Sequence, residues 1–237
     1  MQHQGLAHRL VSLLGLDRPP VALAFVEDAP AGIAVTEAVV PSACTFWRDA
    51  ERGVFYAPVA RHLNCAVGAM TMGFALPAEV EQTLGQLAGQ MVEWGYLDDG
   101  EAAGLPSVGR GSAGIVYGPL DSFPLTPDAM LVWLTPRQAM VFNEAVGRVQ
   151  WTGGAPTPLL GRPSCAALPM ALRSGGATLS LGCIGMRTFT AIPDDRILAA
   201  YPGQRLGELG DRLAAAAEAN ARMEGFYASQ LAALVPD

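Results

Sequence analysis

Two segments of this chain resemble each other, and that repeat constrains the fold more than any other feature. Residues 41–80 read PSACTFWRDAERGVFYAPVARHLNCAVGAMTMGFALPAEV, and residues 163–197 read PSCAALPMALRSGGATLSLGCIGMRTFTAIPDDRI. Both begin Pro-Ser and reach a cysteine, Cys44 or Cys165. Ala50 and Ala171 stand six residues beyond it, Arg52 and Arg173 eight residues beyond, and glycine follows. A β-like run, VFYA or ATLSL, leads to a second cysteine, Cys65 or Cys183, with Gly68 or Gly185 just past it. Each segment then reaches a proline that reads as opening a helix, Pro77 or Pro193, and an apolar run, VALAFV or AMLVWL, lies upstream of each. Identity is low and two small gaps are needed. Yet all four cysteines fall into the scheme, two per copy and in the same order, 21 and 18 residues apart. Self-similarity of this kind points to duplication. Units of approximately 19–97 and 113–203 are expected to pack about an approximate two-fold axis, where the four cysteines converge.

The remaining pattern is that of a mixed α/β chain. Residues 4–15 predict an amphipathic helix with Leu6, Leu10, Leu13 and Leu14 on one face, stopped by Pro19 and Pro20. Ser42 is placed to cap a helix through CTFWRDAER, with Gly53 ending it. Pro77 starts a helix from Ala78 to about Trp94, with Val80, Leu84, Leu87 and Met91 on one face. Residues 98–112 read as a linker, GIVYGPL and AMLVWL as strands, 136–146 as a helix and 151–163 as a loop. An alanine-rich helix is expected over 206–234, with Gly210 and Gly225 as places where it could break. Short apolar strands alternating with helices predict one α/β or α+β domain over 1–237, built from two related halves with a long C-terminal helix.

Composition excludes several function classes. The 237 residues are 51% hydrophobic and 16% charged, which is globular rather than disordered. The net charge of -7 argues against nucleic acid as the main partner, because phosphate binding needs a basic patch. All fifteen basic residues are arginine, which removes Schiff-base and P-loop lysine chemistry. No run approaches the apolar length of a membrane span, and the N-terminus lacks the pattern of a signal peptide. The expected location is the cytoplasm, where cysteines are reduced thiols or metal ligands.

Four readings of the cysteines stay open. A four-thiolate site at Cys44, Cys65, Cys165 and Cys183 would take a soft metal. Zinc motifs pair their cysteines closely, which these do not, and glycines beside each second cysteine suit a bulky cluster, so [4Fe–4S] is favoured with zinc as the alternative. Buried, inert thiols are the second reading, since free cysteine is commonly buried. The third is an enzyme using Cys65 with His62 three residues upstream. The fourth is a metal-free pocket for a small anion, held by Arg187 and backbone N–H groups after Cys183. In the leading reading His62, Asn64, Gly68, Gly185 and Arg187 surround the thiolates or contact a small anionic ligand. No catalytic residue is assigned, and a homodimer is considered because the long helix could pack on its own core or on a second subunit.

The stretches CTFWRDAERGVFYAP, HLNCAVGAMTMGF, GRPSCAALPMAL and SLGCIGMRTFTAIPDD together resemble a prokaryotic family of uncharacterised proteins, DUF169. The resemblance runs from RPPVALAF to AIPDDRILAAYPG. It implies cysteines at Cys44, Cys65, Cys165 and Cys183, the pair Asn64–Cys65 and the Gly-Cys-x-Gly of Gly182 to Gly185. It also implies one folding unit and carries no reaction with it.

Overall fold

The computed structural model describes residues 3–98, 100–109, 111–147 and 157–234. Helix α1 (Gln4–Leu14) ends at Gly15, whose φ of 62° is the left-handed conformation that glycine adopts without strain. Strand β1 (Val21–Val26) follows, then α2 (Ala43–Asp49), β2 (Phe55–Pro58), the one-turn α3 (Val59–His62), α4 (Ala66–Thr71) and α5 (Ala78–Glu93). Strands β3 (Gly114–Pro119) and β4 (Ala129–Leu134) precede α6 (Pro136–Gly147). The remainder is β5 (Leu159–Leu160), α7 (Ala167–Ser174), β6 (Thr178–Ser180), α8 (Ile184–Thr190), β7 (Ile197–Pro202) and α9 (Leu206–Leu234). Much of the expected 151–163 loop lies outside the described residues, which resume at Thr157 and include β5.

The strands form one sheet in the order β2-β3-β1-β4-β7-β6-β5. It is antiparallel except for the β5–β6 pair. β3 and β4 are buried along their whole length, because helices cover both faces of the sheet. Ala22, Val116, Met130 and Ala199 point to the layer of α1, α6 and α9, where Leu10, Phe142 and Leu209 meet them. Leu23, Tyr117, Leu131 and Leu198 point to the opposite layer, against Phe46 and Trp47 of α2, Met72, Leu168 of α7 and Met186 of α8. Burying a side chain of this size contributes about 1.5–3 kcal/mol, so the two layers hold the sheet from both sides.

The apolar runs upstream of the two repeated segments, β1 and β4, lie side by side and antiparallel at the sheet centre. β2 and β6, the β-like runs before the second cysteines, each lie two strands outward. The correspondence stops at Pro193. Pro77 opens α5, whereas Pro193 leads through a turn into β7, so the expected second helix is absent. The apolar run ILAAYP there pairs with β4 along its length, and that pairing decides for strand. Helix α2 ends at Asp49 rather than reaching Gly53, and α9 runs unbroken through Gly210 and Gly225. Gly210 permits a close approach: its carbonyl accepts from Arg9 at 2.9 Å, and a Cβ there would lie 3.0 Å from the guanidinium. None of the residues of α5 is fully buried, so its expected apolar face is only partly covered.

Candidate functional site

The four cysteines come from four elements of one layer. Cys44 is in the first turn of α2, Cys165 in a 3₁₀ turn (Ser164–Ala166) before α7, and Cys65 and Cys183 are the residues before α4 and α8. Helix α2 packs on α4, on α8 and on the 3₁₀ turn, and α4 also packs on that turn. Three of the thiols have close neighbours within this layer. The Ser164 hydroxyl donates to Cys183 Sγ at 3.3 Å. The next residue, Cys165, directs its thiol to Thr71 Oγ1 at the end of α4, at 3.5 Å. At the middle of α4 a Cβ on Gly68 would fall 3.0 Å from Cys65 Sγ and 2.7 Å from the Cβ of Ala43, the neighbour of Cys44. Only glycine lets α4 approach α2 this closely.

Cys44 and Cys165 are buried; Cys65 and Cys183 are partly exposed. Burial pushes the Cys44 thiol well above its ordinary range, and the neighbouring Cys165, Cys183 and Cys65 add to the shift. Burial also pushes Cys165 up to about 12, against the opposing hydrogen bond of Thr71. Without a metal both buried thiols are protonated at neutral pH.

His62 is buried, with 1% of its surface exposed. Its Nδ1 lies 3.0 Å from the Pro58 carbonyl and its Nε2 3.0 Å from the Tyr117 hydroxyl. A carbonyl only accepts, so Nδ1 carries the proton and Tyr117 donates to Nε2. Phe46, Phe74 and Tyr117 surround the ring. Both ring nitrogens are thus engaged, and neither is left to take a proton from Cys65. Asn64 is exposed and reaches the Val40 carbonyl at 3.4 Å. Arg187 donates to the carbonyls of Leu181, Pro193 and Arg196 at 2.7–3.0 Å, which ties the turn after α8 to the strand before it. A Cβ on Gly185 would meet only the Phe189 ring, at an ordinary 3.9 Å, so the close approach seen at Gly68 has no equivalent there. The position of that segment that requires glycine is Gly182, with φ 93°.

The DUF169 family, described as an uncharacterised ArCR, matches residues 9–212, which include all four cysteines. The chain belongs to this family. An uncharacterised protein of Methanocaldococcus jannaschii, MJ0308, is 30% identical over 220 residues, covering 86% of this chain and 90% of that protein. No solved structure matches the chain significantly.

Sequence spacing did not single out Ser164, Thr71 or Tyr117 in this DUF169 chain. Ser164 had a signal, the Pro-Ser shared by both segments; its counterpart Ser42 instead lies 3.3 Å from Thr45 Oγ1. Thr71 and Tyr117 reach the site across long sequence separations that no local pattern encodes. Of the expected linker 98–112, Ser107 and Val108 are tied to this layer. Val108 donates to the Thr71 carbonyl at 3.0 Å, and Arg173 to the Ser107 carbonyl at 2.9 Å. Two clefts, of about 380 Å³ beside Arg52 and about 570 Å³ beside Arg9, have no cysteine in their walls.

Among the described residues no three His, Cys, Asp or Glu side chains stand close enough to hold a single metal ion. Cys183 Sγ accepts from the Ser164 hydroxyl and, at 3.4 Å, from the Met186 backbone N–H.

Exposure sets an order of thiol reactivity. With metal-free native protein, iodoacetamide is expected to modify Cys65 and Cys183 first. Cys44 and Cys165 should follow more than about tenfold more slowly, because little thiolate forms in their buried sites. Peptide mapping of a time course checks this, and equal rates at all four would contradict the packing.

Proposed function

We propose that the four thiols form one site for a soft metal centre, with a [4Fe–4S] cluster the preferred occupant and a redox or small-molecule role for the protein. The observation that carries this reading is the convergence of all four cysteines, from segments far apart in sequence, onto contacts among α2, α4, α8 and the 3₁₀ turn. Four isolated core thiols would have no reason to share one patch. Two related halves, meeting where β1 and β4 pair, would produce such a convergence.

In this reading Cys44, Cys65, Cys165 and Cys183 are the ligands. Such a cluster, when bound, supplies one-electron transfer or a Lewis-acidic iron. Ser164 and the Met186 N–H stabilise negative charge on Cys183 Sγ, and Gly68 keeps space open beside Cys65. Core packing around Phe46 and Trp47 keeps water from Cys44. The cysteines are free thiols, which suits a reducing compartment such as the cytoplasm. No helix of the described residues is long and apolar enough to cross a membrane.

The test is to purify the protein without oxygen and measure iron, sulfide, zinc and visible absorption. About four iron and four sulfide per chain are expected, lost on changing any of the four cysteines to alanine. Zinc alone would keep the site and remove the redox role. No metal after reconstitution with iron and sulfide would overturn the proposal, leaving the cysteines as core thiols.

A further inference from the structure

The last third of α9 leaves the body of the protein. Its first turns are anchored by Leu206, Leu209 and Leu213. The last cross-helix contacts among the described residues tie Asn220 to Glu144 and Glu224 to Arg137, both on α6. Every residue from 221 to 234 is exposed. A helix past Glu224 therefore extends about 15 Å into solvent. Helix propagation alone adds little stability, so a neighbour covering this segment would stabilise it.

Its surface has a defined chemistry. Met223, Phe226, Tyr227, Leu231 and Leu234 are 47%, 52%, 62%, 65% and 79% exposed. Their spacing of three, four and seven residues places them on one face. The last ten residues of α9, GFYASQLAAL (225–234), carry no charge. With aromatic side chains of about 150–250 Å² each, the stripe leaves roughly 600 Å² of apolar surface in water, at the upper end for a monomer.

We infer that this stripe is a homodimer interface, occupied by the same helix of a second copy. Two stripes face to face remove about 1,200 Å², the lower edge of a specific interface. An uncharged stripe is the surface on which a second copy can dock despite the net charge. The chain carries -7 overall, so two copies repel across most surfaces and meet without penalty only at an uncharged one. A neutral stripe also offers no charged address for a dissimilar partner. The pattern is self-complementary: an antiparallel two-fold pairing sets the Phe226 end of one tail against the Leu234 end of the other.

Sedimentation velocity on the full chain, from about 1 to 100 µM, tests the assignment. The expected result is a species of twice the 24.8 kDa chain mass that dissociates on dilution. The double variant Phe226→Glu with Leu231→Glu should be monomeric throughout, with dimerisation weakened at least about 100-fold. These side chains are exposed, so its far-ultraviolet spectrum and the cooperative melt of the body should be retained. Phe226→Leu with Leu231→Met, which keeps the stripe apolar, should remain dimeric. A wild-type chain that is monomeric at every concentration would overturn the inference and leave the tail for a membrane surface or another protein. So would a double variant that stays dimeric.

Discussion

Gly68→Val is expected to lower stability by about 3 kcal/mol, the upper end for overpacking a core, and to abolish metal retention at the four-thiol site. The first atom of the new side chain already meets the Ala43 Cβ at 2.7 Å and Cys65 Sγ at 3.0 Å. The Ala43 Cβ is fixed to the backbone of α2 and cannot rotate away, so α2 and α4 must separate. Replacing glycine inside a helix ordinarily gains up to about 1 kcal/mol, and the expected loss already includes that gain. Gly185→Val is the matched control. Its Cβ meets only the Phe189 ring at 3.9 Å, so a change under about 1 kcal/mol is expected. Urea denaturation of both variants, with iron and zinc analysis, separates the outcomes. Equal effects at the two glycines would show that α4 does not approach α2 as closely as the structure has it.

The contrast between these glycines marks where sequence reading succeeds here. α1, β1, β3, β4, α5, α6 and α9 follow from periodicity or from apolar runs bounded by proline and glycine, because their local pattern and tertiary environment agree. β7 was not legible. A short apolar run after Pro193-Asp-Asp suits a helix start as well as a strand, and the open edge of β4 decides between them. The cysteines drew attention as a set through their similar order and spacing in the two segments, and the structure places them on elements of one layer. Their surroundings were not legible. His62 stands three residues from Cys65 in sequence, yet the single turn of α3 carries it into the ring cluster of Phe46, Phe74 and Tyr117. Adjacency along the chain suggested a catalytic pair; in the structure the two ring nitrogens face Pro58 and Tyr117. Arg187 reads as an anion receptor after Gly-Cys-x-Gly; in the structure three of its five N–H donors serve the carbonyls of Leu181, Pro193 and Arg196.

Acidification is expected to destabilise the protein through His62. Burial lowers its pKa from 6.5 to about 4, partly opposed by the Pro58 carbonyl. The folded state therefore holds the ring neutral, while the unfolded chain takes up a proton below pH 6.5. Stability rises with pH wherever the unfolded state binds more protons. The contribution of His62 is thus complete above about pH 6.5 and is lost as pH falls toward 4, amounting to about 3 kcal/mol. The hydrogen bonds give the structural cause. Protonation puts a second N–H at Nε2, facing the Tyr117 hydroxyl that had been donating to it, so Tyr117 must reverse its bond inside an apolar ring cluster. The buried thiols act at the other end of the scale. Cys165 is raised to about 12, so its contribution holds below about pH 9 and declines as pH rises further. Chemical denaturation across pH 4 to 10 should accordingly give a plateau between about 6.5 and 9 with a falling limb on each side. In His62→Gln the acid limb should shrink by most of its height while the alkaline limb persists. An acid limb unchanged in that variant would move the titrating group elsewhere and would contradict a neutral histidine bridging Pro58 and Tyr117.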